Sequence, residues 1–296
     1  MWLVFALIAN VFYSFTAIFD QLLRRNYIRH NVSVTVLWVA SFFVMWLLAI
    51  PFIHVSVPPW PQLVAAIAAG VIIVLVAVPY FYALAAEEAS RVMPMWQFSS
   101  VVVLVISAAF LGEKLLPKHY YGFVVMLLGG LLLAVDKSVR GFKVNRTLLL
   151  VLAAAALWGV GLVLTKFLYS TETFWNGFVW FGVGHFIGAT ALLLVPKNAG
   201  IVHNDLRKLT KNGIALLVAS TMVTFAADVT GLFAIKSGPV SLVSVVGGTQ
   251  LLFLFILTVV ISKYFPKILK ENIGRKALLT KLVAIALMIV GLYLVS

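Results

Sequence analysis

The chain contains no cysteine, which excludes disulfides, thiol catalysis and cysteine-ligated metal sites. Acidic residues are scarce, with nine Asp and Glu in 296 positions, and charged residues make up only 10%. No stretch is polar enough and long enough to build a separate soluble domain. His-Glu-x-x-His, Gly-x-Ser-x-Gly and the paired aspartates of membrane aspartyl proteases are all missing, as is any ATP-binding loop. Catalytic residues, a metal site and a cofactor are therefore not expected, and any work must draw on gradients or exchange. The first apolar segment has no basic region before it and no small-residue cleavage site after it. It is expected to remain as a helix rather than be removed as a signal peptide.

What the chain has in abundance is apolar length: 63% of residues are hydrophobic and the mean hydropathy is +1.11. Ten long segments, near 2–23, 32–52, 61–86, 92–111, 118–135, 147–168, 174–195, 213–235, 239–262 and 277–295, fill it almost end to end. Each approaches the roughly 20 residues that cross a hydrocarbon core about 30 Å thick. They are continuously apolar, whereas barrel strands would alternate. The expected fold class is all-α integral membrane, with ten transmembrane helices. A net charge of +13 would suggest nucleic acid in a soluble chain. Here the basic residues sit in short gaps between spans, where their partners are the anionic headgroups of the bilayer and not nucleic acid.

Of the 22 Lys and Arg residues, only Lys114, Lys118, Lys166 and Lys236 fall after even-numbered segments, and the other 18 follow odd-numbered ones. By the positive-inside rule the odd loops face the cytoplasm, so both termini lie outside a cell membrane.

Two five-helix halves, 1–136 and 147–296, flank a basic linker at 137–146, and an odd helix number per half would invert the second copy. Leu111-Gly112-Glu113 closes the fourth segment, with Gly122 ten residues beyond Gly112 and Gly129 seven further on. Ala89-Ser90-Arg91 opens the fourth segment, and Ser237-Gly238-Pro239 opens the ninth at the equivalent place. The sixth carries Trp158-Gly159, with Lys166 eight residues past the tryptophan. Together these features resemble the EamA-like branch of the drug/metabolite transporter superfamily, over essentially the whole chain. The resemblance implies a ten-helix carrier for small metabolites, built as two inverted repeats around a central cavity. This chain departs from the family pattern in three places. Ser100 stands where a mid-helix proline is frequent, Gln250-Leu251 replaces Glu-Pro, and Ser262-Lys263-Tyr264 replaces a second Gly-Glu. Better-known members have cytoplasmic termini, opposite to the charge count.

Ionisable groups inside spans are the most informative positions, because a charge at the bilayer centre costs about 2.5–3.5 kcal/mol on insertion scales. Asp228 lies mid-segment between Thr224 and Gly231, where it could exchange a proton as water reaches it; the plain alternative is a packing hydrogen bond. His185, beside Gly184 on a small-residue face, suits proton exchange but also suits simple packing. Setting Phe12 against Trp158 aligns Asp20 with Lys166, opposite charges at matching ends of two helices that could meet each other or a zwitterion. Alternatively Asp20 pairs with Arg24 four residues on, and Lys166 snorkels. Pro79 can kink the third helix, with Tyr80 and Tyr82 following it. Trp96, Gln97, Trp158, Trp180, Thr249 and Gln250 complete the candidate cavity, while Trp2, Trp38, Trp60 and Trp175 fit an interfacial belt. Glu113, at a helix C-terminus, needs a basic or backbone partner to offset the macrodipole. These features predict a secondary transporter of a small amphipathic, amino-acid-like metabolite that works by alternating access and is open to proton coupling. A passive channel or a lipid- or nucleotide-sugar-handling carrier of the same fold is the alternative, and an intramembrane enzyme a remote one.

Overall fold

The computed structural model describes residues 1–28, 30–52, 54–86, 89–134, 146–264 and 275–296. The linker at 137–145 and most of the basic loop that follows the ninth segment lie outside the described residues. Twelve α-helices and no strand occur among the described residues. They are α1 (Trp2–Asn26), α2 (Asn31–Ala49), α3 (Trp60–Ala86), α4 (Ala89–Phe110), α5 (Pro117–Ala134) and α6 (Arg146–Leu168). Then follow α7 (Phe174–Leu193), α8 (Pro196–Arg207), α9 (Lys211–Ser237), α10 (Val240–Val246), α11 (Thr249–Tyr264) and α12 (Arg275–Val295).

Six stretches of the described residues are long and apolar enough to cross a membrane: Trp2–Arg24, Trp60–Tyr80, Leu149–Leu168, Phe174–Leu193, Lys211–Ser237 and Val240–Tyr264. Their neighbours include the shorter apolar helices Met95–Phe110 and Thr280–Val295. The outer surface is apolar, with Val105 63% and Ile289 58% exposed, which suits contact with lipid tails rather than water.

Two elements differ from the sequence expectation. The ninth segment is broken into α10 and α11 at Gly247-Gly248, where the backbone turns instead of continuing the helix. The basic gap after the seventh segment holds a short amphipathic helix, α8, begun by Pro196 at its first turn. Its inward side buries Val202 and Asp205, and Asp205 Oδ2 lies 3.0 Å from His30 Nδ1 at the start of α2. A 12-residue helix with one narrow buried side has too few apolar residues to register as a span.

Local chemistry sets the helix ends. Gly112 takes a positive φ of 64°, the left-handed conformation that favours glycine after a helix, and the Glu113 N–H returns to Ser107 O at 3.2 Å. Thr173 and Thr210 cap α7 and α9 by accepting from Asn176 N and Gly213 N, each satisfying a free N–H of the first turn.

The two halves interleave rather than sit side by side. α1 packs along α9, α5 along α12, and α3 against both α6 and α7. Glycines permit the closest of these approaches. A Cβ on Gly184 would lie 2.5 Å from Ile67 O, and one on Gly70 2.5 Å from Phe181 O, so α3 and α7 touch through their backbones. On the other side of the bundle, a Cβ on Gly129 of α5 would lie 3.1 Å from Ala284 O of α12.

Candidate functional site

A polar seam runs along the antiparallel pair α1 and α9. Tyr13 Oη donates to Asp228 Oδ1 at 2.7 Å, Thr224 Oγ1 meets Thr16 Oγ1 at 3.2 Å, and Ser220 Oγ donates to Asp20 Oδ1 at 2.9 Å. Ser220, Thr224 and Asp228 are spaced four apart, so one face of an otherwise apolar helix presents all three. Each carboxyl is held by a neutral hydroxyl, an arrangement that satisfies either charge state. Arg24, on the same helix, and Tyr80, from α3, lie within electrostatic reach of Asp20.

Two small spaces border this seam. One, of about 20 Å³, has room for roughly one water and is lined by Asp20, Ser220, Thr221, Thr224 and Trp38, among others. A narrower cleft, also lined by Thr224, reaches Asp228 between Trp38, Phe42 and Phe225.

The same helix α1 also braces the break in the ninth segment. Asn10 Nδ2 donates to Val246 O and to Thr249 Oγ1, both at 3.0 Å. Ser14 Oγ donates to Gln250 O at 2.9 Å, and Ser100 Oγ of α4 donates to Ser244 O at 3.0 Å. The Ser244 and Val246 carbonyls, which a continuous helix would have used internally, are thus answered by side chains, which a break away from water requires. Gln250 Nε2 reaches back to Tyr13 O at 3.4 Å. Gln97 of α4 lies against the break: a Cβ on Gly248 would fall 2.5 Å from its Nε2, a buried donor with no hydrogen-bond partner among the described residues.

Across the bundle, aromatic rings from three helices form one cluster. Tyr80 and Trp96 lie 4.4 Å apart by ring centroid, and Trp96 and Trp158 lie 5.5 Å apart. Tyr80 therefore joins the cluster to the Asp20 end of the seam.

Lys166 and Asp20 do not meet. Lys166 Nζ donates to Ile235 O, Lys236 O and Gly238 O at 2.9, 3.1 and 2.7 Å, at the C-terminus of α9. Asp20 is held near the other end of that helix, roughly 15 residues or about 22 Å away at 1.5 Å per residue. The ammonium caps unsatisfied carbonyls at the negative end of the helix dipole. Glu113 is its acidic neighbour, and Glu113 Oε2 also accepts from Ser241 N at 3.4 Å, the backbone partner its position calls for.

Three other sequence candidates stand apart from the seam. His185 is buried, and its ring stacks 5.0 Å from Phe42 while Nδ1 lies 3.1 Å from Phe181 O of its own helix. Trp180 Nε1 donates to Ser56 O at 2.8 Å and so pins the connection between α2 and α3. Tyr82 is 53% exposed. Tyr13, Asn10 and Ser220 were missed. Their signal was available as polar residues at helical spacing: Asn10, Tyr13, Ser14 and Asp20 on α1, and Ser220, Thr224 and Asp228 on α9.

Among the described residues no group of three or more His, Cys, Asp or Glu is placed to hold a metal ion. No curated protein matches the chain. A crystal structure of a protein 17% identical in sequence superimposes with a TM-score of 0.71, covering 100% of this chain and 96% of that one, so the two share a fold. Residues 1–135 match the model of the EamA-like transporter family. Residues 1–135 therefore form an EamA-like region, of the drug/metabolite transporter superfamily, in a chain whose apolar helices make it a multi-pass integral membrane protein.

Proposed function

We propose that this protein is a secondary transporter that moves a small amphipathic, amino-acid-like metabolite across the cell membrane by alternating access, coupled to protons. The observation that carries the reading is Asp228. It is an acid in the middle of a spanning helix, held by the Tyr13 hydroxyl, and α1, which holds it, also braces the helix break at Gly247-Gly248. Broken helices at the meeting of two halves are where carriers of this kind place their sites. An acid there can carry charge only while water reaches it, so its proton occupancy follows which side is open. The tyrosine and tryptophan cluster supplies apolar faces for the metabolite, and the seam supplies hydroxyl and amide groups for its polar end.

Ten spans in two inverted repeats, 1–136 and 147–296, are supported by the pairing of the seams. Under a two-fold axis in the membrane plane, α1 exchanges with α6, α2 with α7, α3 with α9, α4 with α10 and α11, and α5 with α12. The α1–α9 seam then has its counterpart in α6–α3, and α4–α6 in α11–α1. α3–α7 likewise answers α9–α2, while α5–α12 lies on the axis. The basic residues favour odd-numbered connections on the cytoplasmic side, where Lys197 and Arg207 of α8 and the adjacent Lys208 and Lys211 meet anionic headgroups.

The test is a thermal-shift screen of metabolites on the purified protein, since a ligand of the folded state must stabilise it. Uptake of the best stabiliser into proteoliposomes follows, with and without a pH gradient. Saturable uptake that accumulates along the gradient supports the reading. Unsaturable flux that stops at equal concentrations indicates a channel.

A further inference from the structure

We propose that Asp20 is a proton relay through which Asp228 exchanges with the face of the membrane that carries α8. This deepens the proton-coupled reading and rests on it. Both carboxyls lie on one seam, about 12 Å apart along α9 at 1.5 Å per residue, with Asp20 nearer the end where α9 begins at Lys211. Between them stand the Ser220, Thr224 and Thr16 hydroxyls. The space beside Asp20 and the cleft beside Asp228 share Trp38, Thr221 and Thr224 as walls, so the two acids border neighbouring spaces.

The groups that face these acids fit the assignment. Asp20 has Arg24 on its own helix, Tyr80 from α3 and Ser220 from α9. Arg24 holds a cation at the outer end of the path, where it attracts the carboxylate form. Asp228 faces Tyr13 from α1 and the rings of Trp38 and Phe42 from α2. The inner acid therefore has neutral surroundings and the outer acid a charged one.

In the transfer, the Asp20 carboxylate takes a proton from a hydronium arriving at the α8 end, which leaves as water. Its O–H bond then breaks toward a water in the adjoining space, and that water, passing Thr224 into the cleft beside Asp228, gives a proton of its own to an Asp228 oxygen. Asp20 is left as a carboxylate between Ser220 and Arg24, Asp228 as a neutral acid, and one proton has moved inward with no other bond changed.

The experiment is time-resolved infrared spectroscopy of the carboxyl band of purified full-length protein after a pH jump, so the proton itself is the probe. The Asp228 band is identified by its loss in Asp228→Asn. In Asp20→Asn and in Thr224→Val the band should reach the same final amplitude but roughly 100-fold more slowly, the low end of what a positioned proton donor contributes. Asp20→Glu should recover most of the rate, which a merely structural role would not require. An unchanged rate in Asp20→Asn overturns the relay and leaves Asp228 coupling intact. A wild-type protein without a titrating Asp228 band overturns both.

Discussion

Lys166→Met should destabilise the protein much more than it weakens ligand binding. The Lys166 ammonium serves three carbonyls at the end of α9, those of Ile235, Lys236 and Gly238. Methionine keeps the length and apolar stem but supplies no donor. The lost interaction of a cation with a helix C-terminus is worth up to about 2 kcal/mol in a partly buried setting. A carbonyl stranded without a partner adds roughly 1–3 kcal/mol, although Lys166 is only half-buried and water recovers part of that. A total of about 2–4 kcal/mol follows, which corresponds to a fall in melting temperature of very roughly 5–10 °C for a chain of this size. The assay is a tryptophan-fluorescence melt in detergent beside a titration with a stabilising metabolite. A melting temperature unchanged within about 1 °C, together with lost ligand binding, would refute the cap. It would return Lys166 to the substrate role its alignment with Asp20 suggested.

The glycine contact between α3 and α7 makes a second expectation. Gly184→Ala places a methyl 2.5 Å from the Ile67 carbonyl, a backbone atom that cannot swing away. It should cost about 1–3 kcal/mol, read in the same melt. Gly200→Ala on α8, where a Cβ would meet nothing within 4 Å, should cost nothing and stabilise α8 by about 0.5–1 kcal/mol through helix propensity. Orientation makes a third. A tag after Ser296 should be reached by antibody from outside intact cells, and one inserted at Arg140 should be protected; the reverse labelling would overturn the charge-based topology.

The helices were legible because twenty apolar residues in a row have few other fates, and the observed α1, α3 and α6 lie within a few residues of the segments read from hydropathy. α8 was not, because its stability comes from one buried valine and an Asp205–His30 contact made to a distant helix. Hydropathy also read straight through Gly247-Gly248, where the break depends on Asn10 and Ser100 answering the freed carbonyls. In the site, Asp228 and Asp20 stood out as acids in apolar helices. Their partners did not, since a tyrosine and a serine are unremarkable until α1 and α9 are laid antiparallel. Aligning the two halves sets Asp20 against Lys166 in sequence, but Asp20 is held by Ser220 and Lys166 by the carbonyls at the far end of α9.

Proton-driven accumulation by Asp228→Asn, compared with the wild type in proteoliposomes, is the direct test of the central claim. Asparagine keeps the size and can still accept from Tyr13 Oη, so the fold and ligand binding should be retained. The account predicts that the variant exchanges labelled metabolite across the membrane but brings it only to equal concentrations under an imposed pH gradient, while the wild type concentrates it. If Asp228→Asn accumulates the metabolite as the wild type does, Asp228 is a packing residue and the account is wrong.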